Sequence, residues 1–486
     1  MSVNSSHKKI SAALCNRWSS EGGYREVLKI AIPLILSTGA WSIQHFVDRM
    51  FLTWYSAETI AAAMPAGILN FAVMSLFLGT ASYTNTFVAQ YFGSKQNDKI
   101  GPSIWQGVYI ALLAGIAHLF LIPLARPVFT FVGHDPIVMQ HEIVYFRILC
   151  LGAFPVVASS ALSGFFAGRG KTWPLMWVNT LATCINLILD YFLIFGNGGF
   201  PELGIKGAAI ATVLSGCFSF ITYLILISRH SFRKKYNTLR GWLFKKDLFL
   251  RLIHFGFPNG VQFFLDIAGF ATFLLLIGRL GTTSLAATNI VFNINNLAFM
   301  PMIGFGIAVS VKVGQNLGRN RPDLAAKSAY SGFHLTFIYM SLFAAAYLLV
   351  PGLFLKIFSA RGNIQDFGPI RDISIVLLRF VAIYSIFDTL NIIFASAIKG
   401  AGDTRFVMKM LFFISILLLI IPSYIALVVF KTGIFIGWSI VTVYISSLGL
   451  GFFLRFKAGK WKSMRVIENV TPGIPSTFPE TPTPDL

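Results

Sequence analysis

The sequence predicts an all-α membrane protein: twelve transmembrane helices in two six-helix lobes, related by a pseudo-two-fold axis along the membrane normal. Three observations support this fold class: the apolar composition, a series of segments long enough to cross a bilayer, and a repeat between the halves of the chain. Of the 486 residues 55% are hydrophobic and only 12% are charged, whereas about 25% of an ordinary soluble domain is charged. No polar stretch is long enough for a separate soluble domain.

Twelve apolar segments reach the length of ~20 residues that a helix needs to cross the hydrocarbon core. We expect six of them before a basic linker in the middle of the chain and six after it. They lie roughly at Val27–Trp54, Ala62–Phe92, Ser103–Ala125, Met139–Phe166, Trp173–Phe195, Gly204–Ile227, Leu248–Ile277, Ser284–Gly314, Ala326–Leu355, Ile373–Ile398, Phe406–Phe430 and Ile434–Phe453.

These segments divide the chain into five parts. Residues 1–26 form a polar tail without the pattern of a signal peptide, and residues 27–228 form the first lobe. Residues 229–247 are a basic linker to the second lobe, which covers residues 248–456. The last part, 457–486, turns basic and then rich in Pro and Thr, a composition that predicts disorder.

The distribution of Lys and Arg predicts how the chain sits in the membrane. The formal net charge is +20, and the basic residues concentrate in the tails and in the loops that follow even-numbered helices. Because loops rich in Lys and Arg stay in the cytoplasm, we expect a multi-pass protein of the inner cell membrane with both termini cytoplasmic. The charge therefore does not indicate nucleic-acid binding. The central loop alone carries Arg229, Arg233, Lys234, Lys235, Arg240, Lys245 and Lys246.

The two halves of the chain repeat several positions at a nearly constant offset. Each half has an even number of helices, so both halves enter the membrane from the same side. This arrangement predicts two bundles related by an axis along the membrane normal, with a substrate cavity between them. The pairs offset by 225 residues are Pro33 and Pro258, Gln90 and Gln315, and Gly93 and Gly318; those offset by 232 are Arg147 and Arg379, Gly168 and Gly400, Gly170 and Gly402, and Thr172 and Thr404.

The second half carries three polar stripes on apolar helices, since residues three, four and seven apart share one helix face. A carboxylate at membrane depth costs roughly 2.5–3.5 kcal/mol on insertion scales. Asp266 and Asp388 therefore predict a wet cavity that handles an ion, unless a neighbouring Arg or Lys neutralises them. The asparagines either line this cavity or hydrogen-bond between helices. The stripes are Asn259, Gln262 and Asp266; Asn289, Asn293 and Asn296; and Tyr384, Asp388 and Asn391.

The first half carries a similar set of oxygen-bearing side chains. They are Gln44 and Asp48 on helix one, Asn186 and Asp190 on helix five, and Thr212 on helix six. Two carboxylates with amide and hydroxyl oxygens suit sodium, and the same carboxylates could instead hold a proton. Asp48, Asp190 and Asp388 are the candidate sodium ligands. Pairing of Asp48 with the adjacent Arg49 is an alternative, although residues at i and i+1 point apart on a helix.

Other function classes are disfavoured. The cysteines at positions 15, 150, 184 and 217 show no CxxC spacing, so we predict neither a metal site nor a disulfide framework. There is no GxxxxGK[ST] motif, which argues against a self-contained ATP-driven pump. No catalytic constellation stands out, so we expect no enzyme and no cofactor apart from a coupling ion, Na⁺ or H⁺.

Five stretches together carry a resemblance to a known family: HFVDRMFL, NLILDYFLIFG with PELGIKGAAIAT, FFLDIAGFATFLLLIGRLG, VKVGQNLG, and YSIFDTLNIIFASAIKGAGDT. Over residues 24–456 the chain resembles the multidrug and toxic compound extrusion (MATE) family, most of all its NorM-type bacterial branch. The resemblance implies export of organic, often cationic, drugs in exchange for entering sodium ions or protons by alternating access. It also implies a working monomer.

By position, the resemblance places a cation site in each lobe. Asp266 stands where NorM-type members have a glutamate. The amino-terminal site is Asp48, Asn186, Asp190 and Thr212, and the carboxy-terminal site is Tyr384 and Asp388, to which we add Asp266. We also expect a set of amide side chains to line the substrate cavity: Gln44, Asn259, Gln262, Asn289, Asn293 and Asn391.

Three other functions remain to be weighed. A lipid-linked sugar flippase of the same superfamily commonly has extra helices and a more basic cavity. A carrier of the major facilitator type would also have two six-helix halves, but the loop GSKQNDKIG lacks the acidic–basic signature of that class. A membrane enzyme or receptor would be separated from a drug antiporter by testing for sodium-dependent efflux of a dye.

Overall fold

The computed structural model describes residues 17–359 and 364–468, and all regular structure in those ranges is helical. Two π-helical stretches, Ser415–Ile420 and Ile425–Val429, flank the four-residue helix Ile421–Tyr424. The α-helices, in chain order, are α1 Tyr24–Tyr55, α2 Ala57–Ser82, α3 Thr84–Gly93, α4 Ile100–Val132, α5 Pro136–Leu151, α6 Ala153–Gly168, α7 Trp173–Phe195, α8 Ile205–Ile227, α9 His230–Tyr236, α10 Lys246–Gly278, α11 Thr282–Gly318, α12 Pro322–Leu349, α13 Pro351–Ser359, α14 Ile364–Ala401, α15 Thr404–Ile414, α16 Ile421–Tyr424 and α17 Ile434–Lys457.

The predicted fold class is confirmed. Within the described ranges, eleven helical segments are long and apolar enough to cross a membrane, and the pair α5 and α6, bent by 42°, makes a twelfth. Helices α2 and α3 form one continuous span, Ala57–Gly93, and α15 continues to Val429 as another, Thr404–Val429. Six spans precede the linker and six follow it.

Two predicted segments are bent or broken where the sequence predicts one continuous helix. The fourth is not straight, because the chain bends after Leu151, where α5 gives way to α6. The ninth was predicted to run to Leu355, but α12 ends at Leu349. Pro351 explains the break, since a proline disfavours helical geometry at the residue before it, Val350. The chain then forms the separate short helix α13.

Within the described ranges, the two halves share a hydrophobic core at one end of the bundle. The largest buried cluster joins both halves and includes Val27 and Phe87 from the first half and Val309 and Phe394 from the second. The other three clusters each belong to a single half. The shared core lies towards the face at which α1 begins and α17 ends, called the N/C face below. Further towards the opposite face, Asp266, Asn293 and Asn296 share helix faces with residues that contact the first half, yet their side chains are exposed, which marks a cleft between the halves.

The contacts between the halves at the N/C face follow the pseudo-two-fold symmetry that the repeat predicts. Helices α3 and α11 cross so closely that a Cβ atom on Gly93 would collide with the carbonyl oxygen of Gln315. The counterpart collision is between a Cβ atom on Gly318 and the carbonyl oxygen of Gln90. Reciprocal contacts of this kind are the signature of a two-fold interface.

Part of the tail that was predicted to be disordered is ordered. After α17 the chain forms a short 3₁₀ turn, Lys460–Ser463, and Trp461 is fully buried. Its ring stacks on Phe456 with a centroid distance of 4.7 Å. The prediction of disorder from residue 457 is therefore wrong up to Glu468, and residues 469–486 lie outside the described ranges. The apolar anchor Trp461 is the signal that the compositional argument overlooked.

Candidate cation and substrate site

The first acidic site lies on α1 and α7. Asp190 and Asn186, one turn apart on α7, are both fully buried, and none of their side-chain oxygen or nitrogen atoms has a hydrogen-bond partner. Asp48 on α1 is half-buried and approaches Asp190 closely enough for the two carboxyl groups to interact. The structure thus brings together three of the four predicted residues.

The chemistry of this donor set fits a small cation or a proton. Buried polar atoms without partners cost about 1–3 kcal/mol each, and two adjacent carboxylates repel one another. A cation shared by Asp48 and Asp190 would relieve both penalties, with the Asn186 amide oxygen as a further ligand. The ion pair between Asp48 and Arg49 that the sequence left open is not formed among the described residues.

Thr212, the fourth predicted member, is used differently. Its hydroxyl donates to the carbonyl oxygen of Ala208 on its own helix at 3.0 Å. Tyr145 on α5, which sequence reasoning missed, lies close enough to Asp48 and Asp190 to interact with both electrostatically. No periodicity within α5 marks Tyr145, because its role follows from the packing of α5 against its neighbours.

A polar network extends from this site towards the N/C face. Asn179 donates to the hydroxyl of Ser37 at 2.6 Å and accepts from Tyr223 at 3.0 Å. Thr183 donates to Gln44 at 3.3 Å. Of these residues only Gln44 was predicted. The missed signal was spacing: Asn179, Thr183, Asn186 and Asp190 follow one another at intervals of four, three and four residues and share one face of α7.

The second acidic site lies on α14. Asp388 is 6% exposed, and its Oδ1 accepts a hydrogen bond from Asn391 Nδ2 at 2.9 Å. Tyr384, one turn earlier, is buried beside it. The predicted stripe on this helix therefore forms a local cluster, enclosed within the second half.

Asp266 on α10 faces the cleft between the halves. Its side chain is accessible to solvent and its Oδ2 accepts from Gln262 at 3.4 Å. Asn259, two turns earlier on the same face, donates across to the Gly79 carbonyl oxygen of the first half at 2.7 Å. That bond ties the halves together, so the amide of Asn259 serves as a helix–helix contact.

Two further groups adjoin the acids of the second half, and sequence reasoning missed both. Lys399 on α14 lies within electrostatic reach of Asp266. Tyr444 on α17 is within reach of both Asp266 and Asp388, and its hydroxyl lies 3.1 Å from that of Ser415. Lys399 is eleven residues, or three helical turns, beyond Asp388, so its spacing could have shown that the two share a face.

The asparagines of α11 line the same cleft. Asn293 and Asn296 are exposed, and Asn293 donates to the carbonyl oxygen of Asn289 at 2.8 Å. Met300, one turn beyond Asn296, offers its carbonyl oxygen to Thr38 of the first half at 3.1 Å. Because these positions share one helix face, the asparagines point towards the first half.

The acidic sites do not amount to a polydentate metal centre. Over residues 17–359 and 364–468, no three His, Cys, Asp or Glu side chains converge as ligands for one ion. A monovalent cation, held by one or two carboxylates and amide oxygens, suits this arrangement better than a transition metal.

Two pseudo-symmetric helical halves, a polar cleft between them and buried carboxylates partway along the spans define a membrane transporter of the repeat-built class. A family model narrows this class: the model described as MatE matches residues 33–192 and 258–425. The chain belongs to the MatE family. The two matched stretches begin at Pro33 and Pro258, the pair from which the repeat was deduced.

Curated relatives carry names from multidrug resistance. The chain is 26% identical over 401 residues to the probable multidrug resistance protein NorM of Brucella suis, covering 82% of this chain and 84% of that protein. It is 24% identical to the probable NorM of Thermotoga maritima over 91% of this chain and 94% of the relative. The multidrug resistance protein PmpM of Pseudomonas aeruginosa is 28% identical, over 80% of this chain and 81% of that protein.

Solved structures share the fold. A crystal structure of MATE in complex with MaL6 superposes with a TM-score of 0.83 at 17% identity, covering 92% of this chain and 99% of that one. An outward-facing multidrug resistance MATE family transporter of the MOP superfamily gives 0.80 at 18% identity, over 92% and 98% of the two chains.

Proposed function

We propose that this protein is a secondary multidrug efflux antiporter, which exports organic, often cationic, compounds in exchange for entering sodium ions or protons. The observation that carries this proposal is the pair formed by the half-buried Asp48 and the fully buried Asp190, with the partnerless Asn186, beside the cleft. Because this acidic pair forms no ion pair among the described residues, it can bind and release a cation during each cycle. The names of the relatives support drug-like substrates.

The proposal places the N/C face in the cytoplasm, on the strength of the basic linker and tails. Contacts between the halves extend from that face to about mid-membrane, where Phe71 meets Phe263 with ring centroids 5.8 Å apart. The described conformation is therefore closed to the cytoplasm, and its cleft opens to the outside.

In the proposed cycle, a cation from outside enters the cleft and binds Asp48 and Asp190. Asp388, enclosed with Asn391, provides the corresponding group in the second half. Asp266 and the α11 asparagines face the cleft and hold the organic cation through charge and hydrogen bonds. Cation binding favours release of the drug, and the halves then rock so that the cleft opens to the cytoplasm.

The test is ethidium transport in everted membrane vesicles, with a sodium gradient or a proton gradient imposed separately. Wild type is compared with Asp48→Asn and Asp388→Asn. Asp323→Asn is the matched control, because Asp323 is exposed in the first turn of α12, away from both sites. We expect one gradient to drive transport in wild type and in the control, with at least a tenfold loss in either site variant.

The opposite outcome is equally informative. If neither gradient drives ethidium transport, or both site variants transport like wild type, the antiport proposal fails. The flippase alternative would then be tested by following a fluorescent lipid-linked sugar between the leaflets of proteoliposomes.

A further inference from the structure

An open pocket lies between α10 and α15 on the surface of the second half, near the N/C face. Its volume is about 650 Å³, and its apolar walls include Leu250, Phe257 and Met408. Two cations, Arg405 and Lys409, enter it from α15. None of the transport residues discussed above lines this pocket.

The two cations lack carboxylate partners. Arg405 Nη2 lies 3.0 Å from His254 Nδ1, a contact that joins α15 to α10. Among the described residues, neither Arg405 nor Lys409 forms an ion pair. The carboxylate nearest along the chain, Asp403, is already engaged by Arg455 Nη2 at 2.7 Å. The pocket therefore presents net positive charge without an internal counter-ion.

The pocket sits at the depth of lipid head groups. At a rise of 1.5 Å per residue, Lys409 lies about 8 Å along α15 from its start. The surface continues deeper into the membrane with exposed Phe412 and Phe413, 43% and 58% accessible. A ligand that fits must place an anion beside two cations and an apolar tail along Phe257 and its neighbours.

We propose that this pocket binds an anionic phospholipid, with its phosphate between Arg405 and Lys409 and its acyl chains along the apolar wall. Basic pockets between transmembrane helices at the cytoplasmic side are suited to such head groups. The proposal is independent of the transported substrate and of the coupling ion.

The test titrates phosphatidylglycerol into the purified full-length protein and counts bound lipids by native mass spectrometry. The pocket variant is Arg405→Gln/Lys409→Gln. The matched control is Arg233→Gln/Lys234→Gln, because both residues are exposed on α9 and lie outside the pocket. We expect the tightest lipid to bind about 30-fold more weakly to the pocket variant, since each basic residue near the surface contributes about 1 kcal/mol.

Three further arms sharpen the outcome. The exchange Arg405→Lys/Lys409→Arg keeps both charges and should retain the lipid. This variant shows whether the pocket variant loses lipid because it lacks the charges or because it is misfolded. Phosphatidylcholine should bind without sensitivity to the pocket variant. Inorganic phosphate should not displace the lipid. Equal phosphatidylglycerol binding by wild type and the pocket variant, or displacement by phosphate alone, overturns the proposal.

Discussion

Gln90 donates a hydrogen bond from Nε2 to the backbone carbonyl oxygen of Gly400, 3.0 Å away in the other half of the molecule. Its repeat counterpart, Gln315, donates in the same way to Gly168 at 2.8 Å. Since Gly168 and Gly400 are themselves counterparts, the pseudo-two-fold axis passes between these two bonds. Two buried glutamines thus close the N/C face symmetrically.

This closure predicts the effect of adding one methyl group at the crossing of α3 and α11. We expect Gly93→Ala to destabilise the closed conformation by about 1–3 kcal/mol, because the new Cβ meets the Gln315 carbonyl oxygen. Gly39→Ala is the control, since a Cβ at that helical position has no neighbour within 4 Å. Thermal unfolding of the purified variants checks this; equal melting temperatures would contradict the tight crossing.

The ordered tail predicts a latch across the same face. The Glu468 carboxylate contacts Arg251 of the second half, and it also accepts from Tyr91 at 2.9 Å and pairs with Lys99 at 3.4 Å, both in the first half. We expect Glu468→Gln to let the halves separate at this face more often. Distances between spin labels at Asp98 and Asp323 report the separation, and an unchanged distribution would exclude a latch.

The latch should also depend on pH. Burial alone would raise the pKa of Glu468, but the hydrogen bonds from Arg251 and Tyr91 outweigh it and lower that pKa to about 2. A depressed pKa in the folded protein stabilises the latch above the ordinary value near 4.5. That contribution fades as the pH falls from about 5 towards 2. The same spin-label distances, measured in wild type and Glu468→Gln, should converge at low pH.

The first acidic site predicts a trade of stability against function. Asp190→Asn removes a buried carboxyl group that has no hydrogen-bond partner. We expect ion-driven transport to fall at least tenfold, while the melting temperature without added ions stays equal or rises, because a neutral amide is cheaper to bury than a charge. A lower melting temperature would show that Asp190 is mainly structural.

Arg169 predicts how the linker is held to the first half. Its guanidinium lies 3.8 Å from the ring centroid of Phe165 and 4.7 Å from those of Phe232 and Tyr236 in α9. We expect Arg169→Lys to weaken this stack by about 1–2 kcal/mol. The planar guanidinium stacks on several rings, whereas an ammonium has no plane with which to do so. Limited proteolysis within the linker, residues 229–247, should become faster. Arg233→Lys, an exposed exchange in the same linker, should leave the rate unchanged.

How much of the site could be predicted depends on whether its signal lies within one helix. Asp388 and Asn391 were recognised as one stripe, and they do share a hydrogen bond. Asn179 and Thr183 could have been found by the same spacing rule. Tyr145 could not, because its relation to Asp48 and Asp190 exists only after α5 has packed against α2 and α8, which are themselves neighbours of α1 and α7.

The sequence by itself determined the membrane class, the spans and the repeat. These properties are local or periodic: about 20 apolar residues make a span wherever they fall, and counterparts such as Gln90 and Gln315 are visible at a fixed offset. Only the tertiary structure decided which end of the bundle is closed, that Glu468 bridges the halves, and that Lys399 adjoins Asp266. Those relations join residues far apart in sequence, and many weak packing and hydrogen-bond terms, which no local pattern encodes, select them.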